Sequence, residues 1–312
     1  MKAITGILFA MLLQSVVYAQ QHIITTEDIT HFWEAYDALS SAQSKEDSIS
    51  IIQERYIDRA TEHFKTFIHI RKFTAGEYVA LLGKYPQFWK SVRPLTENIV
   101  NRKDEIEIVL QKFKRELPAF EIPDVCFAIG CLRTGGTIGN NLILIGSEIA
   151  AANTEVVKDE LSPWLKSIIG NTGDIVSMVA HESVHTRQRG KLRNAGLLVP
   201  VLNEGIADFI TEKISGMNIN TVVHAYGKEN ACVIRDEFND AINNRSTDLK
   251  PWLYNGNNSG GRVADLGYYV GYAIAELYYN KQSDKQKALE WLLDRSKYKK
   301  IYELSGYKEG CN

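Results

Sequence analysis

His181 and His185 stand four residues apart, with Glu182 directly after the first, in the run His181-Glu182-Ser183-Val184-His185. Four residues carry an α-helix slightly past one turn, so a helical run projects both imidazoles from one face, where they can share one ion. Glu182, one position on, is turned away from that ion and toward a water held on it. Two imidazoles need a third protein ligand, and a catalytic zinc keeps its fourth position open. The segment Asn203-Glu204-Gly205-Ile206-Ala207-Asp208 supplies a carboxylate, Glu204, nineteen positions after His185. A hairpin of two helices returns Glu204 to the face that carries the histidines. Asp208, four residues further on the same face, can accept a hydrogen bond from a ligand imidazole and fix its tautomer.

This reading requires two neighbouring helices, and the chain has the pattern for them. The apolar run Ile175–Ala180 leads into the motif, with Thr172 as cap, and the helix is expected to run to about Arg189, where Gly190 stops it. A second helix is expected over Val201–Ile214, closed by Gly216. The ordinary alternative is an amphipathic helix with two solvated histidines. The preceding apolar run and the Glu-x-x-x-Asp pair at hairpin spacing both weigh against it.

Residues 22–117 carry helical periodicity almost throughout. Thr25-Thr26-Glu27-Asp28 reads as a helix start, followed by Ile29, Phe32, Trp33, Tyr36 and Leu39 at helical steps. Further amphipathic stretches cover Ser48–His63, Ala75–Leu82 and Val100–Leu117, with Pro86, Pro94 and Pro118 as punctuation. Beyond Pro118 the pattern changes to two short apolar strands, Val125–Ile129 and Leu142–Ile145, joined by a mobile Gly-rich segment, Gly130–Gly139. Ser162-Pro163 starts a helix that Gly170 ends, and long helical patterns follow over Val222–Ile242 and Ala264–Asn280. Between those two lies the polar loop Asn255–Gly261. The expected class is α+β and predominantly helical, with a small sheet and an N-terminal helical layer.

The HExxH run with its later glutamate resembles the gluzincin metallopeptidases, among which thermolysin and the M1 aminopeptidases are familiar. The Gly-Ala-Met-Glu-Asn aminopeptidase signature is missing. More closely, the chain is similar to the zinc-dependent proteases related to the gliding-motility protein GldB. That likeness rests on Phe32-Trp33-Glu34-Ala35-Tyr36-Asp37, Gly135-Gly136-Thr137 and Gly267-Tyr268-Tyr269-Val270-Gly271-Tyr272. The resemblance implies a zincin-like fold whose catalytic domain spans 119–312, with the helical region 20–118 packed on it. It also implies a bound Zn2+, and a sheet edge near Val125–Ile145, including Gly135 and Gly136, that binds a peptide or protein substrate by backbone hydrogen bonds. An oxyanion donor is then needed. Tyr268, Tyr269, Tyr272 and His224 are the candidates, with Tyr268 the choice because the resemblance puts a catalytic tyrosine at about this distance. The rival reading keeps the fold without catalysis, as an envelope scaffold or binding protein.

The first twenty residues differ in kind. Lys2, the apolar stretch Ile4–Leu13 and Val17-Tyr18-Ala19 read as a signal peptide over 1–19, so the protein is expected to be exported, periplasmic or secreted, with no transmembrane segment after cleavage. An oxidising compartment lets the four cysteines pair, and Cys126 and Cys131 can close a small loop or stay as buried thiols. A formal net charge of −2 points to neither nucleic acid nor a membrane surface as partner. Arg187, Arg189, Lys191 and Arg193 read as a solvated basic loop.

Overall fold

The computed structural model describes residues 22–117, 119–170, 174–191, 196–256 and 259–309. The expected signal peptide, Pro118, Thr172, Arg193 and Cys311 lie outside the described residues. Before the sheet come α1 (Glu27–Ala38), α2 (Lys45–Ile52), α3 (Glu62–Arg71), α4 (Ala75–Lys84), α5 (Pro86–Glu97) and α6 (Lys103–Glu116). The strands are β1 (Ile24–Thr25), β2 (Asp124–Ala128), β3 (Gly136–Gly139) and β4 (Leu142–Gly146). After them follow α7 (Ser147–Ala150), α8 (Pro163–Ile168), α9 (Ile175–His185), α10 (Leu198–Ser215), α11 (Thr221–Glu229) and α12 (Ala231–Asn243). The chain closes with α13 (Gly267–Lys281), α14 (Lys285–Leu292) and α15 (Tyr298–Ser305). The fold is α+β and predominantly helical, as expected from sequence.

Side-chain caps explain several of the helix starts. Ser44, Thr61, Thr74 and Ser162 each accept a hydrogen bond from the backbone N–H three residues on. Several expectations about these helices need correction. The Ser48–His63 stretch is broken by a π-helical turn at Gln53–Ile57 before α3 begins. Pro86 opens α5 at its first turn, where its missing N–H costs nothing, and Pro94 lies inside that helix instead of ending one. The Val222–Ile242 pattern divides at Asn230, a non-helical residue whose N–H returns to the Tyr226 carbonyl.

The sheet is mixed, in the order β1-β2-β4-β3. β1 and β4 run parallel to β2, and β3 runs antiparallel to β4 with Gly136 opposite Ile145. β1 comes from the start of the described chain, so the regions before and after Pro118 share one sheet. The Gly-rich segment expected as a mobile loop contains β3, which forms one edge of the sheet, with β1 at the other; of the expected edge region Val125–Ile145, β3 is thus the edge strand and β2 and β4 are the inner strands. The turn into it is unusual: Cys131 and Leu132 are both left-handed, with φ of 57° and 52°. The buried Glu148 carboxylate steadies that turn by accepting from the Gly130 and Leu132 amides at 2.8 and 2.7 Å. Burial pushes the Glu148 carboxyl up to about 7, with the two amides pulling the other way. Cys126 and Cys131 are free and buried, so the small-loop bridge is not formed, whereas Cys232 is disulfide-bonded.

α9 is a core helix, with all of Ile175 to Val184 buried. It packs on α6, α10 and both β3 and β4. Its cap is Asp174, in a reciprocal capping box with Ser177. The helix stops at His185, short of the expected Arg189, because the Arg189 backbone pairs with Leu293 and Arg295 instead.

α10 and α13 cross backbone to backbone. A Cβ on Gly205 would lie 2.2 Å from the Tyr272 nitrogen, and one on Gly271 would lie 2.2 Å from the Val201 carbonyl oxygen. Neither contact can yield by rotating a side chain. Gly205→Ala is therefore expected to destabilise the protein by about 3 kcal/mol, the upper range for overpacking, read from the midpoint of urea unfolding. A loss under about 1 kcal/mol would contradict this close crossing. No helix among the described residues is long and apolar enough to cross a membrane.

Candidate active site

α9 and α10 bring His181, His185 and Glu204 together. The two Nε2 atoms are 3.0 Å apart, and Glu204 Oε2 lies 3.5 Å from His181 Nε2 and 3.2 Å from His185 Nε2. A tetrahedral zinc with bonds of about 2.0–2.1 Å separates its ligand atoms by roughly 3.3–3.4 Å. The three donor atoms therefore already stand at the edges such an ion requires, and they form the one candidate metal group among the described residues.

The outer faces of the ligands are occupied. His181 Nδ1 is 2.8 Å from Asp208 Oδ1, and His185 Nδ1 is 2.7 Å from Gln188 Oε1. Gln188 is oriented by its own amide, which donates to the Asn203 carbonyl at 2.7 Å. With protons on both Nδ1 atoms, as these two oxygen neighbours favour, both Nε2 lone pairs would face the centre. Asp208 is anchored in turn: its Oδ2 lies 2.8 Å from His224 Nε2 and accepts from Asn220 at 2.8 Å. Glu204 divides its oxygens, Oε2 toward the imidazoles and Oε1 accepting from Tyr254 Oη at 3.2 Å.

Charge gives a second indication. Glu182, Glu204 and Asp208 are all buried within this small volume. Burial pushes each carboxyl up, but the facing imidazoles hold Glu204 well below the usual carboxylate range and Asp208 below it as well. Burial prevails for Glu182, whose carboxyl is raised. Three buried carboxylates are costly without positive charge beside them, and a divalent cation at the ligand triangle would supply it.

Both expected substrate glycines line the cleft over this centre, which has a volume of about 570 Å³, ample for a peptide segment. A Cβ on Gly136 would meet Glu182 Oε1 at 2.4 Å, and one on Gly135 would meet Met178 Cε at 3.0 Å. Glycine is thus what lets the edge strand β3 lie against α9. Tyr268 also lines the cleft, its ring 6.2 Å from that of His181. The other oxyanion candidates turn elsewhere. Tyr269 lies on Gly227, and Tyr272 is buried between Phe209 and His224. His224 stands behind Asp208.

Sequence reasoning missed Gln188, Tyr254, Arg71 and Arg295, all at or beside this centre. Gln188 stands one turn after His185, and that spacing is a usable signal. The others arrive from distant elements, with no local pattern to announce them.

The arrangement is a candidate mononuclear metal site: two histidines and one glutamate that could hold an ion beneath a sheet edge, with the buried Glu182 carboxylate beside them. Residues 158–297 match a family model described as "Predicted Zn-dependent protease (DUF2268)". The matched stretch holds the three donor residues, Glu182, Asp208 and Tyr268, and leaves out the whole sheet. No curated protein and no solved structure gives a match to this chain.

Proposed function

We propose that this chain is an exported zinc-dependent peptidase of the gluzincin kind, with His181, His185 and Glu204 as metal ligands and Glu182 as general base. The observation that carries the reading is the ligand triangle of 3.0, 3.2 and 3.5 Å with both outer imidazole nitrogens engaged. Zinc held there would supply Lewis acidity, lowering the pKa of a water toward about 7 and polarising a peptide carbonyl. Glu182 takes the proton of the attacking water and passes it to the leaving amine, which restores its carboxylate. Burial raises the Glu182 carboxyl, and a carboxylate beside the ligand triangle can both accept a proton and return it. Asp208 and Gln188 keep the imidazoles in the ligating tautomer. Tyr268, beside His181, is the hydroxyl donor for the oxyanion. The outer side of β3, which begins at Gly136 beside Gly135, is the edge along which an extended peptide would add by backbone hydrogen bonds. Export rests on Lys2, the Ile4–Leu13 stretch and Val17-Tyr18-Ala19.

The test is a digest of a mixed peptide library by the chelated and the zinc-reloaded protein. Cleavage that appears with zinc and disappears on chelation is expected. Stoichiometric zinc with no peptide cut would sink the peptidase reading and favour the non-catalytic scaffold.

A further inference from the structure

Arg71 is the last residue of α3, far outside the stretch that matches the family model, yet it lines the same cleft as the ligand triangle. A guanidinium carries five N–H donors. Within the described residues, the side-chain bond that Arg71 makes is from Nη2 to Thr134 Oγ1 at 3.3 Å, while its buried Nε has no partner. The two other arginines of the cleft are committed to structure. Arg133 pairs with Glu77 and donates to the Arg71 carbonyl at 2.6 Å. Arg295 donates to Asn203 Oδ1 at 2.8 Å and to the Gln188 carbonyl at 2.7 Å. Arg71 is left with a desolvated positive charge, close enough to Glu182 to feel it but not paired with it. A half-buried guanidinium without a carboxylate is one that awaits an anion.

The same cleft is lined by apolar side chains: Trp164, Ile168, Ile149, Met178 and Ile219. The cleft therefore suits a ligand that carries both apolar side chains and a negative group. We propose that Arg71 binds a carboxylate of the substrate, a residue or two from the bond that is cut. The proposal rests on the peptidase reading above and adds the substrate class: peptides bearing a carboxylate near the scissile bond, as a free C-terminus or as an Asp or Glu side chain.

Matched peptides test it, each made with a free or amidated C-terminus and with Glu or Gln near the cut. The wild-type protein is expected to favour the carboxylate form by roughly tenfold or more in kcat/KM, the worth of a hydrogen bond to a charged group. The ratio is the readout. It should fall to about one in Arg71→Gln and recover in part in Arg71→Lys, with zinc content unchanged in both. Sensitivity to amidation identifies a C-terminal carboxylate, and sensitivity to the Gln exchange identifies a side chain. A wild-type ratio near one, or an equal ratio in Arg71→Gln, overturns the proposal. A second readout needs no turnover: calorimetry of an N-acetylated tripeptide acid and its amide on zinc-loaded Glu182→Gln. Tighter binding of the acid, lost when Arg71→Gln is added, supports the assignment even if no peptide is cut and the peptidase reading fails. Equal binding of acid and amide, together with equal binding of matched tripeptide amides carrying Glu or Gln, refutes it.

Discussion

Glu182→Gln is expected to keep its zinc and to lose between about a hundredfold and ten-thousandfold of its kcat for peptide hydrolysis, the usual worth of a positioned general base. The amide has the same shape, so it can rest on Gly136 as the carboxylate does. It offers the water an N–H donor and a feebly basic oxygen, neither of which can take a proton. The three ligand side chains and their outer partners are untouched, so metal content, measured by mass spectrometry, should stay near one per chain. Stability should hold or rise slightly, because the change removes one of three buried carboxylates that repel each other. Activity within tenfold of wild type would move the base elsewhere.

Glu204→Ala is expected to act on the metal first. It removes one corner of the ligand triangle and deprives the Tyr254 hydroxyl of its acceptor. Losing even an outer partner of a ligand typically costs ten- to hundredfold in metal affinity, so losing a ligand should cost at least a hundredfold. Activity should fall with zinc occupancy. The wild-type protein should also gain thermal stability on adding zinc, since an ion that binds only the folded state stabilises it, and Glu204→Ala should not. Titration with a competing chelator measures the change, and an unaltered zinc affinity would point to a different third ligand.

What the sequence disclosed was local chemistry. The spacing of His181, His185, Glu204 and Asp208 is helical arithmetic, and the structure brings all four together as that arithmetic requires. Gly216 ends α10 in the left-handed conformation, also as its type suggests. The misses share one cause, because tertiary pairing decided them. Gly136–Gly139 has glycines at both ends that weaken its strand signal, and it becomes a strand because β4 offers a partner and α9 needs a side-chain-free neighbour at Gly136. Arg189 leaves the motif helix because a segment a hundred residues downstream takes its backbone hydrogen bonds. Arg71 and Arg295 reach the cleft from opposite ends of the chain, and Tyr254 from an irregular turn with φ of 58°. Periodicity reads which face of a helix is buried, but not which remote side chain is delivered to that face.

The central claim is that these two helices hold one cation between two imidazoles and a carboxylate. An anomalous difference map at the zinc edge, from crystals of the zinc-loaded protein, tests it most directly. A single strong peak about 2.0–2.1 Å from His181 Nε2, His185 Nε2 and a Glu204 oxygen is the predicted result. Zinc bound elsewhere, or at this centre with Glu204 turned away, would contradict it.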